Sequence, residues 1–487
     1  MKVLILLISV FCVSQASDAF QKYIEQAIDY NVHPCDDFYR HSCRKTTTQD
    51  LKGALSSHIQ SILDKTHIKM GTPALEKFTN VVGYFSRRNF TAQFVRQFKE
   101  QYLNRCQNQS LEVFLKEVQT LYPESSDCIN DITSNRDCQS ASQQFASCVE
   151  SFPVENFQSD LNDFVDDAVL LNWIDQYGSS ALNRINSTLL DVKQIAIQLI
   201  KNTPWLNKYG LAEEFQKYAE KTVLANYTSL KNARMALFER QSKVYNNCSS
   251  NSVLQNSPRH VLCLLSLLKH SELVSYVLDP IQIDDNAYNM GGALHFYFTY
   301  FYVAQYITNP AEYMAYAGFT VGHEFGHSIV TSTLRPLKYS EIVKSCIQDQ
   351  FKKSCSYFAE FNCTVLLDQI GDNGSDLIGF QIIYDLFKQE IGEKLHDQVP
   401  EYKQNMTYEQ LFFYAYGAQW CKRYPDISYD DHQAHITRTN AVLIQHEEFQ
   451  KAFGCSDQTR MVQSNNGKCH IFGPDAPQEK GRNFEGF

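Results

Sequence analysis

Val321-Gly322-His323-Glu324-Phe325-Gly326-His327-Ser328-Ile329-Val330 is the stretch whose reading decides the rest of the chain. It carries His-Glu-x-x-His, and on a helix the two imidazoles project from one face about one turn apart. That geometry can hold a zinc ion, with Glu324 beside it as a candidate general base. The neighbours, Tyr316 to Thr320 before and Ile329-Val330 after, suit a helix that is buried rather than solvated. On these residues alone, a buried helix with two hydrogen-bonded histidines reads equally well.

Outward from the motif, the chain has 487 residues, enough for two lobes and a large core. Hydrophobic residues make up 44% and charged residues 20%, which excludes a disordered chain. The net charge is -10 and no Lys/Arg block runs along the sequence, so a nucleic-acid role has no electrostatic basis.

Met1-Lys2, the apolar run Val3 to Val13 and then Ser14-Gln15-Ala16 read as a secretory signal peptide over residues 1–16. The run is too short for a bilayer, which needs about 20 residues, and no other stretch is long and apolar enough. A secreted protein is expected, with an uncleaved N-terminal anchor at the plasma membrane as the alternative. Of 15 cysteines, Cys12 lies in this leader, leaving an even 14, as disulfides in a secreted chain require. Eight N-x-S/T sequons, at Asn89, Asn108, Asn186, Asn226, Asn247, Asn362, Asn373 and Asn405, fit a glycoprotein on the same route.

Asp18 to Tyr30 reads as a helix, followed by Pro34-Cys35-Asp36-Asp37-Phe38-Tyr39 and Cys43. The short helix suggested between Cys35 and Cys43 keeps them from bonding each other, so each needs a distant partner. Residues 17–270 form a mostly helical N-terminal lobe by their 3.6-residue periodicity, 271–472 a second lobe, and 473–487 a polar tail. The most strand-like region is Pro280 to Asn289. The motif helix is expected at 318–333, with further helices at 355–369, 377–394 and 408–420.

Several of these stretches, in order, resemble the neprilysin family of zinc metallopeptidases. Pro34-Cys35-Asp36-Asp37-Phe38-Tyr39 through Cys43 looks like that family's start, and Asn286-Ala287-Tyr288 like its substrate-binding edge strand. Gly318 with Gly322-His323-Glu324 fits the motif helix, although Met314-Ala315 replace the family's Tyr-Gly. Asp368-Gln369-Ile370-Gly371-Asp372-Asn373-Gly374 is similar to the family's E-N-I-A-D-N-G. Ala418-Gln419-Trp420-Cys421, His432, Arg438, Phe453-Gly454-Cys455 and Cys469 follow its C-terminal pattern.

The resemblance implies a mainly α (α+β) fold. A thermolysin-like zincin catalytic lobe would carry the HExxH helix and a small substrate-edge sheet, beneath a reduced helical lid lobe. It implies one zinc per chain held by His323, His327 and Asp368, the last standing where the family has glutamate. Glu324 would take the proton of the attacking water, Asp372 would hold the His323 imidazole, and His432 would donate to the oxyanion. Arg438 would bind a substrate carbonyl, and Asn286 with the Ala287 backbone an extended peptide. Singly, His432 and Arg438 read as surface residues. By the same resemblance Cys35 pairs with Cys455, Cys43 with Cys421 and Cys346 with Cys469. The first two close very long loops, worth ~4–5 kcal/mol each in chain-entropy terms.

The third ligand is the main departure. Aspartate is one methylene shorter than glutamate, so its carboxylate falls about 1.5 Å short unless the helix moves closer. Glu360, eight residues earlier on the same helical face, is the other candidate. Two functions follow. The first is a secreted metalloendopeptidase that cuts extracellular peptides, before a hydrophobic residue as the resemblance implies. The second is a catalytically impaired relative that binds peptides or proteins.

Overall fold

The computed structural model describes residues 17–43, 136–150, 178–208, 210–227, 286–330, 338–359, 368–421 and 432–467. Isolated positions or short runs are also described between 51 and 59, 110 and 116, 173 and 174, 229 and 246, and at 365, 366, 469, 472 and 473. The leader at 1–16, Pro280 to Asp285, Glu360 and most of the tail lie outside the described residues.

The elements used below are helices α1 (Phe38–Ser42), α2 (Cys138–Glu150), α3 (Ser179–Lys201), α4 (Ala212–Lys221) and α5 (Phe298–Tyr306). They continue with α6 (Phe319–Val330), α7 (Lys338–Phe358), α8 (Ile370–Ile391), α9 (Tyr408–Trp420) and α10 (His435–Leu443). Three short strands, β1 (Val223–Leu224), β2 (Ala287–Met290) and β3 (Ala293–Phe296), form one sheet in the order β1-β3-β2. The protein is therefore mainly helical with a small sheet, the class the sequence implied.

Two compact units divide the chain. One is assembled from Met1–Ile62, Tyr177–Ala225 and Asp284–Phe487, the other from Leu63–Gln176 and Asn226–Ile283. Helix α2 is the longest described element of the second unit. Helix α3, which the sequence reading put in the N-terminal lobe, belongs to the first unit. Its buried Ala181, Ile185, Leu189, Val192, Ala196 and Ile200 recur at three- and four-residue steps and form a stripe along one face.

In the first unit β2 turns into β3 through Gly291 and Gly292, at φ 62° and 93°, the left-handed pair that a two-residue hairpin needs. Strand β2 pairs antiparallel with β3, Ala287 opposite Phe296 and Asn289 opposite Leu294, while β1 runs parallel on the other side. Among the described residues strand β2 is thus an edge of the sheet. Helix α6 follows a π-helical turn at Met314–Gly318 and is buried at every residue but His327. Helix α9 opens on a capping box in which Thr407 and Gln410 satisfy each other's backbone N–H groups. Its Phe412, Phe413 and Tyr416 pack on Phe380 of α8 with ring centroids 4.7–6.2 Å apart.

Helices α6 and α8 meet backbone to backbone. A Cβ on Gly379 would lie 2.6 Å from the His323 nitrogen, and one on Gly322 only 2.9 Å from the Gly379 carbonyl oxygen. A Cβ on Gly326 would stand 2.9 Å from the Ser375 Cα. Side-chain-free positions on both helices therefore bring their axes closer than ordinary ridge-and-groove packing allows.

The three disulfides implied by the resemblance are formed: Cys35–Cys455, Cys43–Cys421 and Cys346–Cys469. The helix expected at 355–369 is not continuous. Helix α7 ends at Phe358, and α8 begins at Ile370, with Asp368 and Gln369 in a turn before it.

Gly379→Ala should force α6 and α8 apart, lower stability by about 1–3 kcal/mol and loosen metal retention. Thermal unfolding with metal analysis of the dialysed protein checks both.

Candidate metal centre

His323 and His327 occupy one face of α6, with their Nε2 atoms 3.1 Å apart. The close approach of α8 sets Asp372, in its first turn, against them. Asp372 Oδ1 lies 3.5 Å from His323 Nε2 and 3.7 Å from His327 Nε2. Tetrahedral zinc with bonds of ~2.0–2.2 Å separates its ligand atoms by about 3.3–3.6 Å, and the three donor separations come within about 0.2 Å of that range. Among the described residues they form the cluster of three able to share a metal.

This corrects the ligand assignment. Asp368 is exposed and precedes α8, so it stands outside the cluster, and Asp372 takes its place one helical turn later. The role expected of Asp372 passes in turn to Asp376, whose Oδ1 lies 2.9 Å from His323 Nδ1. A carboxylate there fixes the imidazole so that Nε2 faces the metal position. The shortfall in reach expected of an aspartate is met by the glycine contacts between the two helices.

Asp376 is wholly buried and is bound on its other side by Arg438, whose Nε and Nη2 each donate to it at 2.7 Å. The Arg438 guanidinium, on α10, also stacks over the Trp420 ring, 4.4 Å from its centroid. Arg438 is therefore buried in an ion pair rather than free at the surface. His432 is partly exposed, and its Nε2 lies 3.1 Å from Asp372 Oδ1. The backbone at His432 is held by Gln369, whose Nε2 donates to its carbonyl oxygen at 3.4 Å while its Oε1 accepts from Gln433. Asn286 lies exposed at the start of edge strand β2, its own Oδ1 accepting from the Ala287 N–H at 2.9 Å.

The electrostatics are those of a site built around a cation. Burial alone would lower the His323 pKa, but Asp372 and Asp376 outweigh it and hold it up at about 10. Burial and the neighbouring His323 push His327 down to about 4. Burial would raise the Asp372 carboxyl, yet His323, His432 and Arg438 hold it well below the usual carboxylate range. Burial raises Glu324 to about 7, against the pull of His323. Glu324 is 4% exposed, and its Oε2 is buried without a hydrogen-bond partner among the described residues. One positive charge thus rests on His323 while His327 stays neutral, where a metal ion would otherwise supply it.

Sequence reading missed Asp376, Asn289 and Gln369. Asp376 carried a signal, since Asp372 and Asp376 repeat the four-residue step of Asp368 and Asp372. Asn289 and Gln369 carried none, because the partners that tie them to the site are distant in sequence.

Two histidines and an aspartate arranged in this way on two apposed helices, with a glutamate beside them, form a candidate zinc site. The segment that carries all of them, residues 286–469, matches the model of peptidase family M13. The whole fold is similar to that of the Haemonchus galactose-containing glycoprotein complex. That match has 13% identity and a TM-score of 0.52, and covers 94% of this chain and 99% of that one. Zinc metalloprotease Zmp1 of Mycobacterium tuberculosis, solved with an inhibitor, matches at 12% identity and a TM-score of 0.49, covering 92% and 99% of the two chains. Comparison with curated proteins gives no match.

The two candidate third ligands are separable. Asp372→Ala should lose bound zinc on dialysis, whereas Asp368→Ala should keep it, as measured by metal analysis. Acidity provides a second check. Because His323 holds its proton up to about 10 when no metal competes, zinc must displace one proton to bind. Apparent zinc affinity should therefore fall about tenfold per pH unit from about pH 9 to 6, read by competition with a chromophoric chelator.

Proposed function

We propose that this protein is a secreted zinc-dependent metalloendopeptidase that hydrolyses extracellular peptides. The observation that carries the reading is the buried Glu324 carboxylate beside a three-donor cluster of His323, His327 and Asp372. A structural zinc site needs four protein donors and no adjacent base, while a catalytic one keeps a position open. When bound, zinc supplies Lewis acidity, polarising the attacking water and the scissile carbonyl.

The chain's own residues supply the rest. Glu324, raised to about 7 by burial, is poised to accept a proton from the water and return it to the leaving amine. His432, at the exposed rim of the cluster, donates to the oxygen that gains charge as the carbonyl is attacked. Arg438 holds Asp376, and Asp376 holds His323, so the base-bearing helix keeps its orientation through the cycle. The outer edge of β2 at Asn286 and Ala287, which no described strand covers, pairs with an extended substrate. Arg438 also binds a substrate carbonyl in this reading, and the residue on the new N-terminal side is hydrophobic.

Three disulfides spanning the chain support an oxidising compartment. Among the described residues no helix is long and apolar enough to cross a membrane. The alternative of an impaired peptide-binding relative drew its force from the short reach of Asp368. Asp372, within 3.7 Å of both Nε2 atoms, supports the peptidase reading without calling on the reach of Asp368.

A quenched fluorogenic peptide with a hydrophobic residue after the scissile bond provides the test. The zinc-loaded wild type should cleave it and a chelator should stop it. Glu324→Gln should retain zinc while losing about 10²–10⁴-fold in kcat. A zinc-loaded wild type without chelator-sensitive turnover would establish the binding module instead.

A further inference from the structure

Asn289 is the third residue of β2, two positions beyond Ala287, and the proposed mechanism makes no use of it. Its side-chain amide is fully engaged. Nδ2 lies 2.6 Å from the Glu324 carbonyl oxygen and 2.8 Å from Ser328 Oγ, while Oδ1 accepts from the Gly292 N–H at 2.9 Å. A primary amide offers two donors and one acceptor group, and here the donors reach α6 while the acceptor holds the hairpin turn. The main-chain carbonyl it meets belongs to the residue that carries the general base.

We infer that Asn289 is a positioning residue that sets the spacing between the peptide-binding edge strand and the base-bearing helix. The inference rests on the peptidase reading above and deepens it. Alternate residues of a strand share a face, so Ala287 and Asn289 lie on the same side of β2, about 6.6 Å apart along the strand. A displacement at one is carried to the other almost undiminished. Helix α6 is buried at every residue but His327 and packs tightly on α8, whereas the hairpin ends in Met290, which is 59% exposed. If the amide bonds are lost, the hairpin is therefore the part that shifts. The metal donors and Glu324 stay in place, and the strand edge moves relative to them.

Asparagine is the side chain that meets these demands. Aspartate keeps the shape and the bond from Gly292 but turns an acceptor toward the Glu324 carbonyl, where repulsion replaces attraction. Leucine keeps the volume and loses all three bonds. Both changes should act on substrates long enough to lie along β2 and spare those that end at the scissile bond.

The test compares wild type, Asn289→Asp and Asn289→Leu as zinc-loaded full chains. One substrate is a fluorogenic peptide of about six residues, the other a blocked dipeptide with the same scissile bond. On the longer one kcat/KM should fall about tenfold to hundredfold, mainly through KM, while the dipeptide changes less than about twofold. Equal losses on both would reduce Asn289 to a stabilising residue and overturn the proposal. Hydrogen exchange by mass spectrometry gives a readout independent of activity. Residues 286–297 should exchange faster in both variants while 319–330 stays protected. Unchanged exchange in the hairpin would overturn the proposal even if no peptide is cleaved, an outcome that would count separately against the peptidase reading.

Discussion

Everything in the site depends on how near α8 can come to α6. Gly322 and Gly326 on one helix face Gly379 and Ser375 on the other, so the backbones touch where side chains would normally intervene. The consequence is chemical as well as steric. A metal donor must lie within a few tenths of an ångström of its ideal distance, and aspartate has one methylene less than glutamate to span the gap. Close helix packing supplies what the side chain lacks. The same approach sets Asp376 against His323 Nδ1, so one packing contact positions both a donor and the group that orients another donor.

Such proximity concentrates charge in a dry place, which is unfavourable unless each charge finds a partner. Here Asp376 is shared between His323 and Arg438, and Asp372 between His323, His327 and His432. Asp372 and Asp376 carry two negative charges, and Arg438 and a protonated His323 balance them. A divalent ion in place of that proton adds one positive charge, which favours the ionised form of Glu324. The cluster is electrostatically closed with a metal ion or with a proton, but only the first leaves a base.

The motif helix and its two imidazoles were legible because a four-residue step on a buried helix is a purely local property. The disulfide partners were legible through resemblance, since no local rule pairs Cys35 with Cys455. The third ligand was misread by one turn for a definite reason. Asp368, Asp372 and Asp376 repeat the same spacing, so two acidic pairs fit one pattern. The choice between them depends on where α8 begins and on which turn meets the glycines of α6. Both are tertiary facts. Asn289 was invisible for the same reason: its importance is a pair of hydrogen bonds to residues 35 and 39 positions away.

The start of the chain is part of this construction rather than an appendage to it. Tyr39 donates its backbone N–H to Asn440 Oδ1 at 3.1 Å, and Asn440 Nδ2 donates to Asp37 at 3.0 Å. Asn440 sits on α10 two residues beyond Arg438, so α1 fixes the helix that holds Asp376. Cys43–Cys421 joins the end of α1 to the end of α9, on the stretch of chain that leads to His432 and α10. Gly417 is tight against Ser42 at the same junction, leaving no room for a side chain. A chain of contacts thus runs from the first cysteines through α10 to Arg438, Asp376 and the metal-facing imidazole. Because each link is a short polar or covalent contact between buried or half-buried groups, a disturbance at α1 reaches His323 through geometry alone. In this fold the long-range disulfides therefore bear on the orientation of the site as well as on stability.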